Sequence, residues 1–196
     1  MEVDLIGALV EREAQIAIGP STARGQGRGT VKALRAALGR IPLIDFAVST
    51  AAQFDRVLDR HTRLVQRRLP RRVSSWGLAR KCLNIFLRDC YYNAFLKRHY
   101  RLHKAEREFE VPLDSLVAKE LKWLFPRGAL PRWPGVKHLR RAESDEFQEA
   151  ARQLSKSWGI TRVHLDTFLW VRGRKLTPNH ASQRTRRKRR AVEGGR

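Results

Sequence analysis

Apolar residues recur along this chain at the three-to-four spacing of helices, and no segment alternates apolar with polar positions as a half-buried strand would. A short amphipathic helix is predicted over 3–17. It runs into GPSTARGQGRGT, where Gly19, Gly25, Gly27 and Gly29 predict a flexible basic loop. A helix over 30–39 stops at Gly39, with Pro42 just beyond. A long helix is predicted over 44–68, with Phe46, Val48, Phe54, Val57, Leu58, Leu64 and Val65 facing the core and Pro70 ending it. The next segment, 76–98, reads WGLARKCLNIFLRDCYYNAFLKR. Its apolar residues Leu78, Cys82, Leu83, Ile85, Phe86, Cys90, Phe95 and Leu96 wrap much of the circumference, which predicts a buried hub.

After the basic linker HYRLHKAEREFE, Asp114 stands before SLVAKELKWLF and is a natural N-cap for a helix over 115–125. Pro126, Gly128, Pro131, Pro134 and Gly135 predict an irregular connection. An amphipathic helix over 143–158 buries Phe147, Ala150, Ala151, Leu154 and Trp158 and is closed by Gly159. Thr161 is placed to cap a last helix, RVHLDTFLWV. The expected fold is all-α: one compact multi-helix domain over 1–172, then a basic tail over 173–196 expected to be disordered alone.

Composition changes this picture in one respect. Forty-two per cent of residues are hydrophobic, ordinary for a folded chain, but 41 Lys and Arg against 19 Asp and Glu give a net charge of +22. The tail from 171 accounts for +9 of this, leaving +13 on the remainder. Residues 60–104 alone hold 13 Lys or Arg and one acid, Asp89. Such an excess repels itself unless a polyanion neutralises it, and nucleic acid is the usual polyanion. The expected partner is DNA, with RNA as the alternative. The run RTRRKRR, which includes Lys188, is a generic phosphate anchor or localisation signal.

Several classes are disfavoured. The G-x-G-x-G run from Gly25 to Gly29 lacks a preceding strand and a G-K-[ST] ending, so it is a backbone-contacting loop rather than a P-loop. Cys82 and Cys90, more than two turns apart on one helix, cannot bridge and are read as reduced core residues. The six histidines offer only His99 and His103 at metal spacing, and no metal or cofactor is expected. The N-terminus lacks a secretory pattern and no stretch is long and apolar enough to span a membrane. A cytoplasmic, nucleoid-associated monomer is the expectation.

Two residues carry candidate chemistry. Lys81 lies on the apolar hub helix with Asn84 and Arg88 at i+3 and i+7, read as one face. Asp114 is a carboxylate held at a helix N-terminus by backbone N–H groups. A fixed acid in a groove that binds phosphates weakens binding, but it suits a glycosidic cleavage in which the sugar becomes positive. The plainer alternative is that Asp114 only caps and Lys81 is only a surface cation. Trp76, Tyr91, Tyr92 and Trp123 are candidates to stack on or wedge beside a base.

The segment EVPLDSLVAKEL (110–121) resembles the aspartate-bearing element of the helix-hairpin-helix DNA glycosylase superfamily, and SSWGLARKCLNIFL (74–87) is similar to its hairpin and lysine-bearing helix. SKSWGITRVHLDTFLWVRGR (155–174) looks like the ending of the archaeal-type 8-oxoguanine glycosylase and lyase group, through Leu165, Asp166, Leu169 and Trp170. The resemblance spans about 70–172. The chain carries Gly77 alone where the family hairpin has paired glycines, and 97–108 reads as an insertion. The resemblance implies an enzyme that flips and excises a damaged or modified base, in repair or in defence against modified phage DNA. Asp114 would be its catalytic carboxylate and Lys81 the lysine of the lyase members. Trp76, Gly77, Asn84, Arg88, Tyr92, Arg80, Arg71, Arg72, the loop at Gly25 and Lys188 would contact the nucleic acid. The alternative is a non-enzymatic basic DNA- or RNA-binding protein.

Overall fold

A computed structural model describes residues 4–23 and 25–176, the last four as backbone alone. Among these residues the chain is all-helical and holds no strand. The helices are α1 (Leu5–Ala17), α2 (Thr30–Leu38), α3 (Ala51–Arg68), α4 (Trp76–Tyr92), α5 (Ala94–His99), α6 (Ser115–Leu124), α7 (Arg141–Ser157) and α8 (Arg162–Leu176). Short 3-10 turns occupy Leu43–Phe46, Arg71–Val73 and Leu102–Ala105. No described helix is long and apolar enough to cross a membrane. Lys188 and the RTRRKRR run lie outside the described residues.

Two long helices expected from the apolar pattern are each broken by a cap. The 44–68 segment becomes a 3-10 turn and α3, because Thr50 accepts a hydrogen bond from the Gln53 N–H and starts a new helix. The 76–98 segment breaks at Asn93, whose side chain accepts from the N–H groups of Phe95 and Leu96. The turn rotates Phe95 out to solvent while Leu96 stays buried. Leu64, expected inside, is exposed. The glycine loop is a series of defined turns, with Gly25, Gly27 and Gly29 at positive φ, and Gly27 approaches Val73. Thr161 precedes α8, but its hydroxyl donates to Glu106. Cys82 and Cys90 are unpaired and buried; burial pushes the Cys82 thiol up to about 12.

The core is divided into two clusters. One gathers α1 to α5 around Phe46, Phe54, Phe86 and Phe109. The other gathers α6, α7 and most of α8 around Phe147, Leu121 and Leu165. α4 joins them, since it packs on α1, α2 and α3 and touches α7. The joint is close at Gly77, where an added Cβ would meet the Val136 carbonyl oxygen at 2.4 Å and the Leu139 Cβ at 2.7 Å. Gly77 is thus a packing glycine beneath the 136–139 segment, not an exposed hairpin residue. Alanine improves helix propensity, but overpacking against backbone outweighs that gain. Gly77→Ala is expected to destabilise the fold by about 2 kcal/mol, read as a lower urea midpoint at constant slope.

Candidate functional site

A cleft of about 720 Å³ opens between the two lobes. One wall is the face of α4 that carries Lys81, Ile85, Arg88 and Tyr92, each about one turn from the last. The other carries Pro112 and Asp114 before α6, and Asp166, Thr167 and Trp170 from α8. Ile16 and Ala17 of α1, with Ser21 and Thr22, close one end. A second basin of about 450 Å³ adjoins it, between Gln26 on one side and Gly135, Val136 and Lys137 on the other. Lys81 and Asp114 line both basins, so the pair stands where they meet.

The two candidate residues, 33 positions apart in sequence, are brought together. The Lys81 Nζ lies 3.7 Å from Asp114 Oδ2. It also donates to the Thr22 carbonyl at 3.4 Å. The two carboxylate oxygens of Asp114 have separate tasks. Oδ1 accepts from the backbone N–H groups of Leu116 and Val117 at 2.9 and 3.0 Å, which fixes the group as the cap of α6. Oδ2 is turned to the lysine, and the side chain keeps 33% of its surface exposed. Asp114 is therefore a cap and a cleft residue at once.

Arg88 is clamped two turns along the same face. It donates to Asp166 through Nη1 and to Asp89 through Nε and Nη2, at 2.9 and 2.8 Å to the latter. Burial would lower the guanidinium pKa, but the charges of Asp166 and Asp89 outweigh it and raise it. Burial raises the carboxyl of Asp166 in spite of Arg88, and the nearby charge of Asp114 adds to this. Burial likewise raises Asp89. The cleft thus sets two cations, Lys81 and Arg88, against three carboxylates, in a chain whose total is +22.

The remaining predicted residues divide sharply. Tyr92 lines the cleft, half-exposed, with its ring stacked on His164 at 5.7 Å. Arg71 and Arg72 are exposed in the 3-10 turn before α4. Arg80 and Asn84 do not face the cleft. Arg80 is buried, bidentate to Glu110 at 2.8 Å and bonded to Asp59 and Thr62; Asn84 donates to Glu110 at 2.9 Å. Asn84 sits about 60° around the helix from Lys81, enough to cross from cleft to interior. Trp76 is half-buried, with the Arg80 guanidinium over its ring, and Tyr91 is buried under Lys97. Trp123 is exposed under Arg172 and lines neither basin.

No protein-family model, curated protein or solved structure matches this chain. The cleft residues themselves are the basis for a functional reading. Among the described residues, no three or more His, Cys, Asp or Glu side chains are gathered to hold a metal ion. Asp166, matched in the sequence only as part of the C-terminal resemblance, and the Thr22 carbonyl join the site without having been candidate site groups. Asp166 had a signal, since it is the acid of the HLDTFLW run, two turns of α8 that carry both buried and cleft-facing residues. A backbone carbonyl in a loop leaves none.

Proposed function

We propose that this chain is a DNA N-glycosylase of the helix-hairpin-helix type, removing a damaged or modified base from a flipped nucleotide. The observation that carries the reading is the pairing of Lys81 with Asp114, at 3.7 Å, at the meeting point of two basins. Binding alone does not call for it: a carboxylate in a phosphate-binding groove repels the ligand. Bond cleavage does, because the sugar gains positive charge as the base leaves and a preorganised carboxylate stabilises that charge.

Each part of the cleft has a task in this reaction. Asp114 Oδ1 is held by two backbone donors, so Oδ2 stays in place without reorganising as charge develops. Oδ2 would accept a hydrogen bond from an attacking water, with the lysine ammonium 3.7 Å away as its ion-pair partner. The larger basin has the size to receive an extruded base, with Tyr92 and Trp170 as flat faces on its wall and the Arg88–Asp166 pair offering both donors and an acceptor. Gln26, in the turns that follow Gly25, lines the second basin, and the flanking backbone would run from there toward the exposed Arg71 and Arg72.

Duplexes carrying a panel of modified bases, incubated with the protein and then cleaved with alkali at abasic sites, test the reading. Asp114→Asn keeps the cap geometry and removes the charge. It is expected to lower the single-turnover rate by roughly 10²–10⁴ while leaving duplex affinity unchanged or higher. Excision at the wild-type rate by that variant would remove Asp114 from the mechanism. Binding with no product from any substrate would favour a non-enzymatic DNA-binding protein.

A further inference from the structure

The outer face of α3 carries a feature that the cleft does not use. Arg56, Arg60, Arg63 and Arg67 recur at i, i+4, i+7 and i+11, which places them within about 60° of one another on the helix. All four are exposed, on the side opposite the buried Phe54, Leu58, His61 and Val65. The stripe is about 16 Å long from Arg56 to Arg67. Arg60 pairs with Asp45 at 2.7 Å, whereas Arg56, Arg63 and Arg67 have no ion pair among the described residues. The acids of the same helix lie off the stripe, and Asp59 is held by Arg80 and Arg141.

Like charges one turn apart destabilise a helix, so this row is unfavourable in the free protein. It becomes favourable once phosphates lie along it. The row also leads somewhere. Beyond Arg67 the chain turns at Pro70 into the exposed Arg71 and Arg72, and the glycine loop packs there through Gly27 against Val73. That loop carries the exposed Arg28, and its neighbours Thr22 and Gln26 line the second basin. The positive track therefore ends where the cleft begins.

We infer that the outer face of α3 is a second nucleic-acid contact, a docking stripe that holds a duplex phosphate backbone and guides it toward the cleft. The inference rests on the proposed reading for its ligand, but the two fail separately: the stripe governs binding and salt dependence, Asp114 governs the chemical step. Arg56, Arg63 and Arg67 are suited to the test because none has an ion pair among the described residues.

The experiment measures binding of the full chain to a fluorescein-labelled duplex across salt concentrations. The triple variant Arg56→Gln, Arg63→Gln, Arg67→Gln is compared with a control of equal charge change, Lys119→Gln, Arg127→Gln, Arg132→Gln. The stripe variant is expected to lose at least about tenfold in affinity at low salt, and its log–log salt slope should flatten by about 2–3. The control should change both far less. The all-lysine triple at the same three positions should restore binding, which separates charge from folding. Excision at saturating protein should be unaffected by the stripe variant. Equal losses in the two triples, or no loss in the stripe triple, would overturn the inference. So would loss of binding to phosphatidylserine vesicles with duplex binding intact.

Discussion

Replacing Arg80 with alanine is expected to cost about 3–5 kcal/mol, as much as truncating a buried core phenylalanine. The reason is the company it keeps. Its guanidinium makes two parallel bonds to Glu110 at 2.8 Å and further bonds to Asp59 and Thr62, all in a nearly water-free space between α3, α4 and the 109–113 segment. Removing it leaves Glu110 as a buried carboxylate whose remaining donor is the Asn84 amide. A domain of this size has roughly 5–15 kcal/mol in total, so the variant approaches unfolding. Lysine cannot supply the planar two-bond geometry and should rescue little. A double variant, Arg80→Met with Glu110→Gln, removes both charges and should recover about half of the loss. Urea titration followed by circular dichroism gives the ranking directly.

The same cluster predicts a pH signature. Burial pushes the Glu110 carboxyl up, but the Arg80 charge and the hydrogen bonds from Arg80 and Asn84 outweigh it and hold it below the ordinary carboxylate range. A group depressed in the folded state stabilises above its unfolded value and loses that contribution as pH falls through its folded value. The wild type should therefore weaken from about pH 4 downward. In Arg80→Ala the balance reverses, because burial is then opposed only by the Asn84 hydrogen bond and the more distant Arg162 charge, and the carboxyl rises. Its deficit should shrink as pH falls, so the gap between wild type and variant is widest near neutrality and narrowest in acid.

Much of this arrangement was legible in the sequence, and the part that was not has a common cause. Helical periodicity located the helices, and Asp114 was recognisable as a cap because an acid precedes an apolar run by one residue. Helix breaks at Thr50 and Asn93 were missed because the apolar pattern runs through both. A polar cap overrides periodicity without disturbing it. The side to which polar residues of α4 turn was half legible. Lys81 and Arg88, seven apart, share the cleft as the spacing implies. Arg80 and Asn84, four apart, share the interior, and the sequence gives no sign of that without Glu110, which arrives 26 residues beyond Asn84. Buried ion pairs between distant segments have no local signature, so cations there read as ligand contacts. Gly77 likewise reads locally as a hairpin glycine, although its lack of a side chain serves contact with 136–139.

Under the proposed glycosylase function, Lys81→Ala is expected to abolish covalent trapping on DNA altogether, and this all-or-none readout separates the two chemistries that the Lys81–Asp114 pair could serve. If Lys81 is the nucleophile, its neutral amine attacks the sugar C1′ as the C1′–N bond breaks. The base leaves with that bonding pair and is protonated. The amine nitrogen gives up a proton, the ring opens, and a Schiff base joins lysine to sugar. Borohydride then delivers hydride to the imine carbon and fixes the C–N bond, so protein and DNA migrate as one species. The lysine stands 3.7 Å from Asp114 Oδ2, within reach for that carboxylate to receive the ammonium proton through a small shift or one water. Asp114→Asn should therefore reduce trapping together with excision, whereas Lys81→Ala removes trapping even if slow hydrolytic excision persists. Lys81→Arg retains the charge but not the nucleophile, and serves as the decisive control. If Lys81 only positions Asp114 through their ion pair, arginine should preserve excision and the wild type should give no trapped species. If it is the nucleophile, arginine should give no trapped species and at most the slow hydrolytic excision of the alanine variant, and the 3.4 Å bond to the Thr22 carbonyl then acquires a role in holding the amine toward the sugar rather than toward solvent.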